Sequence, residues 1–353
     1  MHMKRLQRKT VILSTGSLNV SRRLGLNAVY SVVPIGLGSP HGHNPIFLIT
    51  APQPHLILQL ARVSSGLKTK ADTARRQPPF LRPELFTSLS PQNGHDAATL
   101  QSHQSRTAAE QADYLLPHIR SNSHILDVGC GPGSITCDFA DLAMHGRVVG
   151  VDSSNEVIEQ AKKEAMRRNM TKVTFEVAGA HKLPYPDESF DIVHCHALLV
   201  HLPDPVAAIK EMRRVCKMSG LIAAREPDWS TCVIHPGDPR LDRWREVFAQ
   251  LKRNEGAEPN AGRHLAEWAI KSGFPPDNVS VTFNVLSYHG KGPVRWWGEL
   301  YAKRMTTEMG QRAVSSGLST EQEVEGFAQA YQDWSRHDSA IWGMMHMRLL
   351  CWK

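Results

Sequence analysis

Regular alternation of apolar and polar positions begins near residue 97. Between Ala97 and His118, Ala108, Ala112 and Leu115 recur at helical spacing and predict a helix. Short apolar runs then alternate with amphipathic stretches. His124–Val128, Arg147–Val151, Lys172–Val177, Phe190–His194 and Leu221–Arg225 read as strands. Ser134–Leu142 carries Ile135, Phe139 and Leu142 on one helical face, and Pro205–Val215 reads as a further helix. Ser153 to Asn169 opens with a capping-box pattern, Ser153 and Glu156, and is expected to bury Val157, Ala161 and Ala165. Strands alternating with helices of this length predict right-handed crossovers and a mostly parallel sheet with helices on both faces. The fold class is doubly wound α/β.

Beyond Asp238 the pattern turns mostly helical. Asp242–Leu251, Arg263–Lys271, Val294–Met309 and Glu321–His346 read as helices, with one more alternating strand at Val279–Tyr288. Residues 238–353 are expected to complete, as a helical lid, a core domain spanning 96–237. The first 95 residues show no sustained periodicity and are rich in Ser, Pro, Gly and His, with a proline-rich linker at Gln77–Pro91. They read as a disordered extension, and the first thirty, with Arg, Ser and Leu and no acid, are similar to a mitochondrial targeting segment. Without such targeting, a cytoplasmic location is expected.

Charge sharpens that division. The 353 residues carry 41 Lys/Arg and 34 Asp/Glu, a net of +7. Nine of the basic residues and none of the acidic ones lie in Met1–Ala71, which leaves 32 against 34 in the remainder. The net charge of the main body is therefore −2, with no basic stripe, and no nucleic-acid partner is expected. No apolar run approaches the roughly 18 residues of a membrane span. The six cysteines form no CxxC pair or framework spacing and read as reduced thiols.

The chemistry is concentrated at the first strand-to-helix turn, Ile125-Leu126-Asp127-Val128-Gly129-Cys130-Gly131-Pro132-Gly133-Ser134. Three glycines at alternate positions let the backbone turn sharply and leave space for a ligand where a Cβ would stand. In open α/β sheets, ligands sit at the carboxyl ends of the strands beside the helix N-terminus. The second strand leads into Asp152, whose carboxylate can accept both hydrogens of a ribose diol. A nicotinamide dinucleotide site also pairs a glycine turn with a later acid, but its spacing is GxGxxG and this turn reads GxGxG. Asp127 would repel a pyrophosphate and suits a ligand with an ammonium group. That favours S-adenosylmethionine.

The turn resembles motif I of the class I S-adenosylmethionine-dependent methyltransferases. Within them it is similar to the ubiquinone/menaquinone-biosynthesis type and its fungal and bacterial relatives acting on small metabolites. The resemblance extends to Ala178–Asp191, to His201-Leu202-Pro203-Asp204-Pro205 and to Met212–Gly220, and covers roughly residues 97 to 350. It implies that Asp127, Gly129 and Gly131 hold the methionine moiety of the cofactor, with Asp152 and Ser153 at the ribose. Ala180 and His181 would flank the adenine, His196 would lie near the methionine carboxylate and the methyl group, and Arg106 would close the pocket. One departure stands out: Gly179 occupies the position where the family usually has an acid for the adenine amino group.

His194, His196 and His201 cluster around the end of the fourth strand, and His196 and His201 are the candidate bases for an acceptor protonated at neutral pH. The competing reading is packing and turn capping, and no metal site is expected. Glu226 and Asp228 follow the fifth strand, either orienting substrate or standing in a solvated loop. Trp296, Trp297, Trp334, Trp342, Met344, Met345 and Met347 are expected mainly in the core, with a share lining a pocket for a hydrophobic acceptor. The main functional expectation is methyl transfer to a small organic metabolite. A non-catalytic binding or scaffold protein and a nicotinamide-dependent oxidoreductase are the alternatives.

Overall fold

The computed structural model describes residues 103–353, together with the backbone of three short strands nearer the N-terminus. The chain divides into two compact units, Met1–Phe80 and Leu81–Lys353. In the first, β1 (Ser31–Ile35), β2 (Ile46–Thr50) and β3 (Ile57–Leu60) pair antiparallel in that order. These runs are only four or five residues long, too short to register as sustained periodicity. The proposed targeting segment and the proline-rich linker lie outside the described residues.

The second unit is built on an eight-stranded sheet. Its strands are β4 (His124–Val128), β5 (Arg147–Asp152), β6 (Val173–Val177), β7 (Phe190–His196), β8 (Cys216–Pro227), β9 (Val233–His235), β10 (Val279–His289) and β11 (Ile341–Trp352). They run in the order β10-β11-β8-β7-β4-β5-β6, with β9 pairing β11. The five strands β4 to β8 are mutually parallel, as the alternating pattern predicts, and β10 and β11 run antiparallel. The chain moves outward from β4 to β6 and then returns to place β7 on the other side of β4. This reversal opens the crevice where α/β sheets bind ligands.

Strand alternation sorts the side chains into two layers. Leu126, Val149, Val193, Ile222 and Leu349 share one core with α4 (Pro205–Val215) and α6 (Ala261–Lys271). Ile125, Val148, Ile192 and Ala223 point the other way, against α2 (Ser134–Leu142) and α3 (Asn155–Arg167). A third core joins α5 (Pro239–Asn254), α7 (Lys291–Met305), α8 (Glu308–Ser315) and α9 (Glu321–Ser335) through Trp244, Trp297, Tyr301, Phe327, Tyr331 and Trp334. Trp297, Trp334, Trp342, Met344 and Met347 are buried, so most of the aromatic and thioether material is core, as expected. All six cysteines are buried and free, with no disulfide among them.

Four elements depart from expectation. Glu321–His346 is not one helix: α9 ends at Ser335, and Ile341–Trp352 is a strand held between β8 and β10. Met and Leu favour helices in isolation, but backbone partners on both sides override that preference. Val294–Met309 divides at Thr306–Thr307 into α7 and α8. Among the described residues, the expected helix ending at His118 is broken into a helical stretch at His103–Gln104, α1 (Ala108–Gln111) and a 3-10 turn at Leu116–His118. Thr107 caps α1, and Pro117 restarts the chain at a new angle. Finally, the N-cap of α3 is Ser154, which accepts from Val157 N–H, and not Ser153.

Because Leu349 is fully buried on β11, where strand pairing overrides helix preference, Leu349→Ala should cost about 2–5 kcal/mol of unfolding free energy in denaturant titration. A loss below about 1 kcal/mol would show that β11 is not part of the central core.

Candidate active site

The glycine turn follows β4 at the topological reversal. Gly129, Gly131 and Gly133 all have positive φ (70°, 56° and 80°). A Cβ on Gly129 would meet Leu198 Cδ1 at 2.8 Å, and one on Gly133 would meet Phe175 and Ala161 below 3.0 Å. Gly131 differs, for nothing lies within 4 Å of its Cβ position. The two outer glycines let the turn pack closely, while the middle one faces open space of the kind a ligand's approach requires.

Asp152 closes the same turn from β5. Its Oδ2 accepts from Gly131 N–H at 3.2 Å, and its Oδ1 accepts from Ser154 N–H at 3.1 Å. Ser153 is exposed beside it. Ala178 N–H donates to Asp152 O at 2.9 Å, which brings the Ala178–Lys182 turn alongside. Ala180 is buried there, and His181 is exposed with Nε2 2.9 Å from Asp204 O. Space within 4 Å of the Gly179 Cβ position is empty. Arg106 is half-buried, and its N–H donates to His103 O, which also accepts from Ser134 Oγ at the start of α2. The segment carrying Arg106 is thereby pinned to the end of the glycine turn.

Asp127 is directed inward. Only 2% exposed, it accepts from Thr136 Oγ1 at 2.6 Å and lies 2.7 Å from His194 Nδ1. Both oxygens are thus engaged with α2 and β7, and its influence on a ligand passes through the turn it anchors. Cys195 points to the opposite face, as alternation requires.

Toward the carboxyl ends of the strands, the face carrying Ile125, Ile192 and Ala223 becomes polar. His196 of β7 is in register with Arg225 of β8, and Arg225 with Arg348 of β11. His346 follows two positions before Arg348 on the same face. Burial first, and then Arg106 and Arg225, hold His196 and His346 well below the usual imidazole range. His201 is an exposed residue, and desolvation of its ring, followed by Lys252 with its Nζ 3.2 Å from Nδ1, lowers its pKa to about 3. The three candidate histidines therefore part company: His194 braces Asp127, His196 joins the polar face, and His201 stands with Lys252.

Glu226 and Asp228 are structural. Glu226 is fully buried and accepts from the N–H groups of Leu198, Leu199 and Val200, fixing the loop after β7. Burial outweighs those donors and pushes its carboxyl up to about 7. Asp228 receives a bidentate pair from Arg263 at 2.6 and 2.7 Å. Sequence reasoning passed over Arg225, although a charge inside Leu221-Ile222-Ala223-Ala224-Arg225 is itself a signal. His346 could not be placed while its segment was read as helix.

Residues 119–271 match the model of a methyltransferase domain family. An uncharacterized methyltransferase of Schizosaccharomyces pombe is 32% identical over 249 residues, covering 69% of this chain and 88% of the relative. The chain belongs to the class I S-adenosylmethionine-dependent methyltransferases. A probable methyltransferase of Aspergillus luteorubrus, ltbC, is 32% identical over 276 residues, covering 74% of this chain and 96% of its own. Among solved structures, the YcgJ protein of Bacillus subtilis is similar at 20% identity and a TM-score of 0.45, over 68% of this chain and 97% of that one. The cofactor of this methyltransferase is S-adenosylmethionine, and the nicotinamide and non-catalytic alternatives fall away. The open space over Gly131, with Asp152 beside it, fits that group. Among the described residues of the methyltransferase, no helix is long and apolar enough to cross a membrane.

The lowered histidines make stability pH-dependent. The unfolded chain takes up protons near pH ~6.5 that folded His196 and His346 refuse. Their contribution is therefore complete above that pH and declines below it, by up to about 1.4 kcal/mol per pH unit for each. Glu226 works in the opposite sense, since its folded carboxyl binds a proton in a range where the unfolded one does not. Comparing wild type with His346→Gln cancels that term. Between about pH 7 and about pH 5 the wild type should lose roughly 1–2 kcal/mol more stability than the variant, measured by denaturant unfolding. Parallel profiles would show that His346 takes up its proton in the folded state.

Proposed function

We propose that the methyl acceptor is a small organic molecule with an apolar body, of the quinone or secondary-metabolite kind. It docks beside His196, between the strand ends and the aromatic C-terminal region. The observation that carries this reading is β10, where Asn284, which accepts from Arg225, and Tyr288 lie on one face, so the polar strand ends at His196 and Arg225 run on into aromatic residues. Tyr288 stacks on Trp297 with centroids 4.4 Å apart, and Trp297 meets Trp342 at 4.7 Å. Polar strand ends and an aromatic wall at one place suit an acceptor with a reactive polar atom on an apolar frame.

On this reading Gly129 and Gly131 receive the methionine part of the cofactor, Asp152 and Ser153 the ribose, and Ala180 and His181 the adenine, with Arg106 closing over them. Asp127 acts by holding the turn. When bound, S-adenosylmethionine supplies a methyl group activated by its sulfonium. What the chain must add is alignment of the acceptor, exclusion of water and a place for the acceptor's proton. His196 Nδ1 is buried and without a partner, so it can accept a hydrogen bond from the atom to be methylated. Burial keeps this imidazole neutral near pH ~7, so it serves to orient the reacting atom as a hydrogen-bond acceptor. His201, closer in pKa to a carboxylic acid and facing an ammonium, is the weaker candidate.

Asp152→Ala should weaken cofactor binding by about 10- to 100-fold in calorimetry, the loss expected for hydrogen bonds to a charged group. Gly131→Val should abolish it by filling the open space. Unchanged binding in both variants would remove the cofactor from this turn. Gly179→Asp should tighten binding by up to about 10-fold, because the empty space there admits the carboxylate that the family places at the adenine. Untargeted mass spectrometry of cells with and without the protein should reveal an apolar metabolite pair differing by one methyl group. Methylation confined to macromolecules would overturn the acceptor class.

A further inference from the structure

A buried charge is stable in a protein only when it is paired. Arg225 is 1% exposed, yet its guanidinium forms no ion pair among the described residues. Its Nη2 donates to Asn284 Oδ1 at 3.0 Å, while Nε and Nη1 have no partner. The carboxylates near it in sequence or space are already engaged. Glu226 serves three backbone N–H groups, and Asp113 pairs with Arg348.

The unmet polar atoms are not isolated. His196 Nδ1 and His346 Nδ1 are also buried without partners. His196 and Arg225 are register neighbours, and His346 is one position removed along the same face of β11. Neighbouring strands lie about 4.8 Å apart, so His196, Arg225 and His346 are neighbours on one face of three adjacent strands. Arg106 adds a second positive charge nearby and, after burial, is the main cause that lowers Arg225 to about 10. A guanidinium with two unpaired donors and surplus positive charge beside it is complementary to a compact anion with several acceptor oxygens.

Position separates this anion from the cofactor. The glycine turn follows β4, whereas β8 is the second strand away from it, about 10 Å across the sheet. We infer that Arg225, with His346 beside it, binds an acid group carried by the methyl acceptor, most simply a carboxylate. This rests on the reading that the acceptor docks beside His196. Arg225 then sets substrate specificity: it reads the acid group while the aromatic wall at Tyr288 and Trp297 receives the apolar body. The acceptors selected are small organic acids.

Calorimetry on the full chain saturated with S-adenosylhomocysteine tests this with benzoate and its neutral isostere benzamide as probes. Wild type should bind benzoate at least 10-fold more tightly than benzamide, and Arg225→Met should lose that preference. The same variant should keep its affinity for S-adenosylhomocysteine within about threefold. It should also melt no lower than wild type without ligands, because an unpaired buried cation has been removed. Benzoate binding that is absent, or no tighter than that of benzamide, overturns the anionic class. A tenfold or greater loss of S-adenosylhomocysteine affinity in Arg225→Met assigns the guanidinium to the cofactor and overturns the acceptor assignment. If Arg225→Met fails to fold, Arg225 is structural and its assignment to the acceptor is overturned. Failure of wild type to bind S-adenosylhomocysteine would count against the cofactor site itself, a separate result.

Discussion

Asp127 sits 2% exposed at the end of β4, 2.6 Å from Thr136 Oγ1 and 2.7 Å from His194 Nδ1, so one carboxylate joins the first strand, the helix after it and the strand on its other side. A buried carboxylate that lost these partners would be unstable by about 3–5 kcal/mol, and the three elements are therefore locked in one relation. The glycine turn runs between two of them. Its backbone accommodates three positive φ values because both ends are fixed. Gly129 N–H and Cys130 N–H also donate to Val151 O at 2.7 and 2.9 Å, which ties the turn to β5 and hence to Asp152. The open space over Gly131 thus adjoins elements held in one fixed relation, as a pre-formed binding site requires.

The second constraint comes from the end of the chain. β11 enters antiparallel between β8 and β10, and its insertion brings His346 and Arg348 to the same face as His196 and Arg225. Residues more than a hundred positions apart meet there because strand register, at two residues per repeat, fixes which face each occupies. Glu226 acts from the opposite face, with its three backbone bonds holding the loop that leaves His196. Two carboxylates, one on each face, therefore position the residues around the crevice without pointing into it.

How much of this could be read from the chain follows from the length of each signal. The parallel half was legible because its strands are separated by amphipathic helices with caps and turns at the right offsets, and Asp127, Gly129, Gly131 and Asp152 lie together at one strand-to-helix turn. β11 was not legible, since Ile341–Trp352 is rich in Met, Leu and Trp, and such residues pack equally well in a helix or between two strands. Misreading that segment concealed His346 and Arg348. Ser153 and Ser154 show a smaller failure of the same kind, where adjacent residues are equally good caps and only the backbone angle selects one. Arg225 was visible as a letter, but its meaning depended on the absence of a counter-ion, which no sequence pattern reports.

Net charge and functional charge are unrelated in this protein. The acid-free first 71 residues carry nine positive charges, whereas the remainder is close to neutral at −2. Within that neutral core, the exposed cations are largely matched by nearby carboxylates, as in the Arg168–Asp138 and Arg240–Asp238 pairs, and such pairs in water contribute little. A buried guanidinium with unmet donors behaves differently. In low dielectric its attraction for an anion is large, and the desolvation cost has already been met during folding rather than at binding. Something outside the fold that completes such a group offsets what its burial costs a marginally stable chain. Hence one buried arginine bears more on recognition than the nine lysines and arginines of the acid-free first 71 residues.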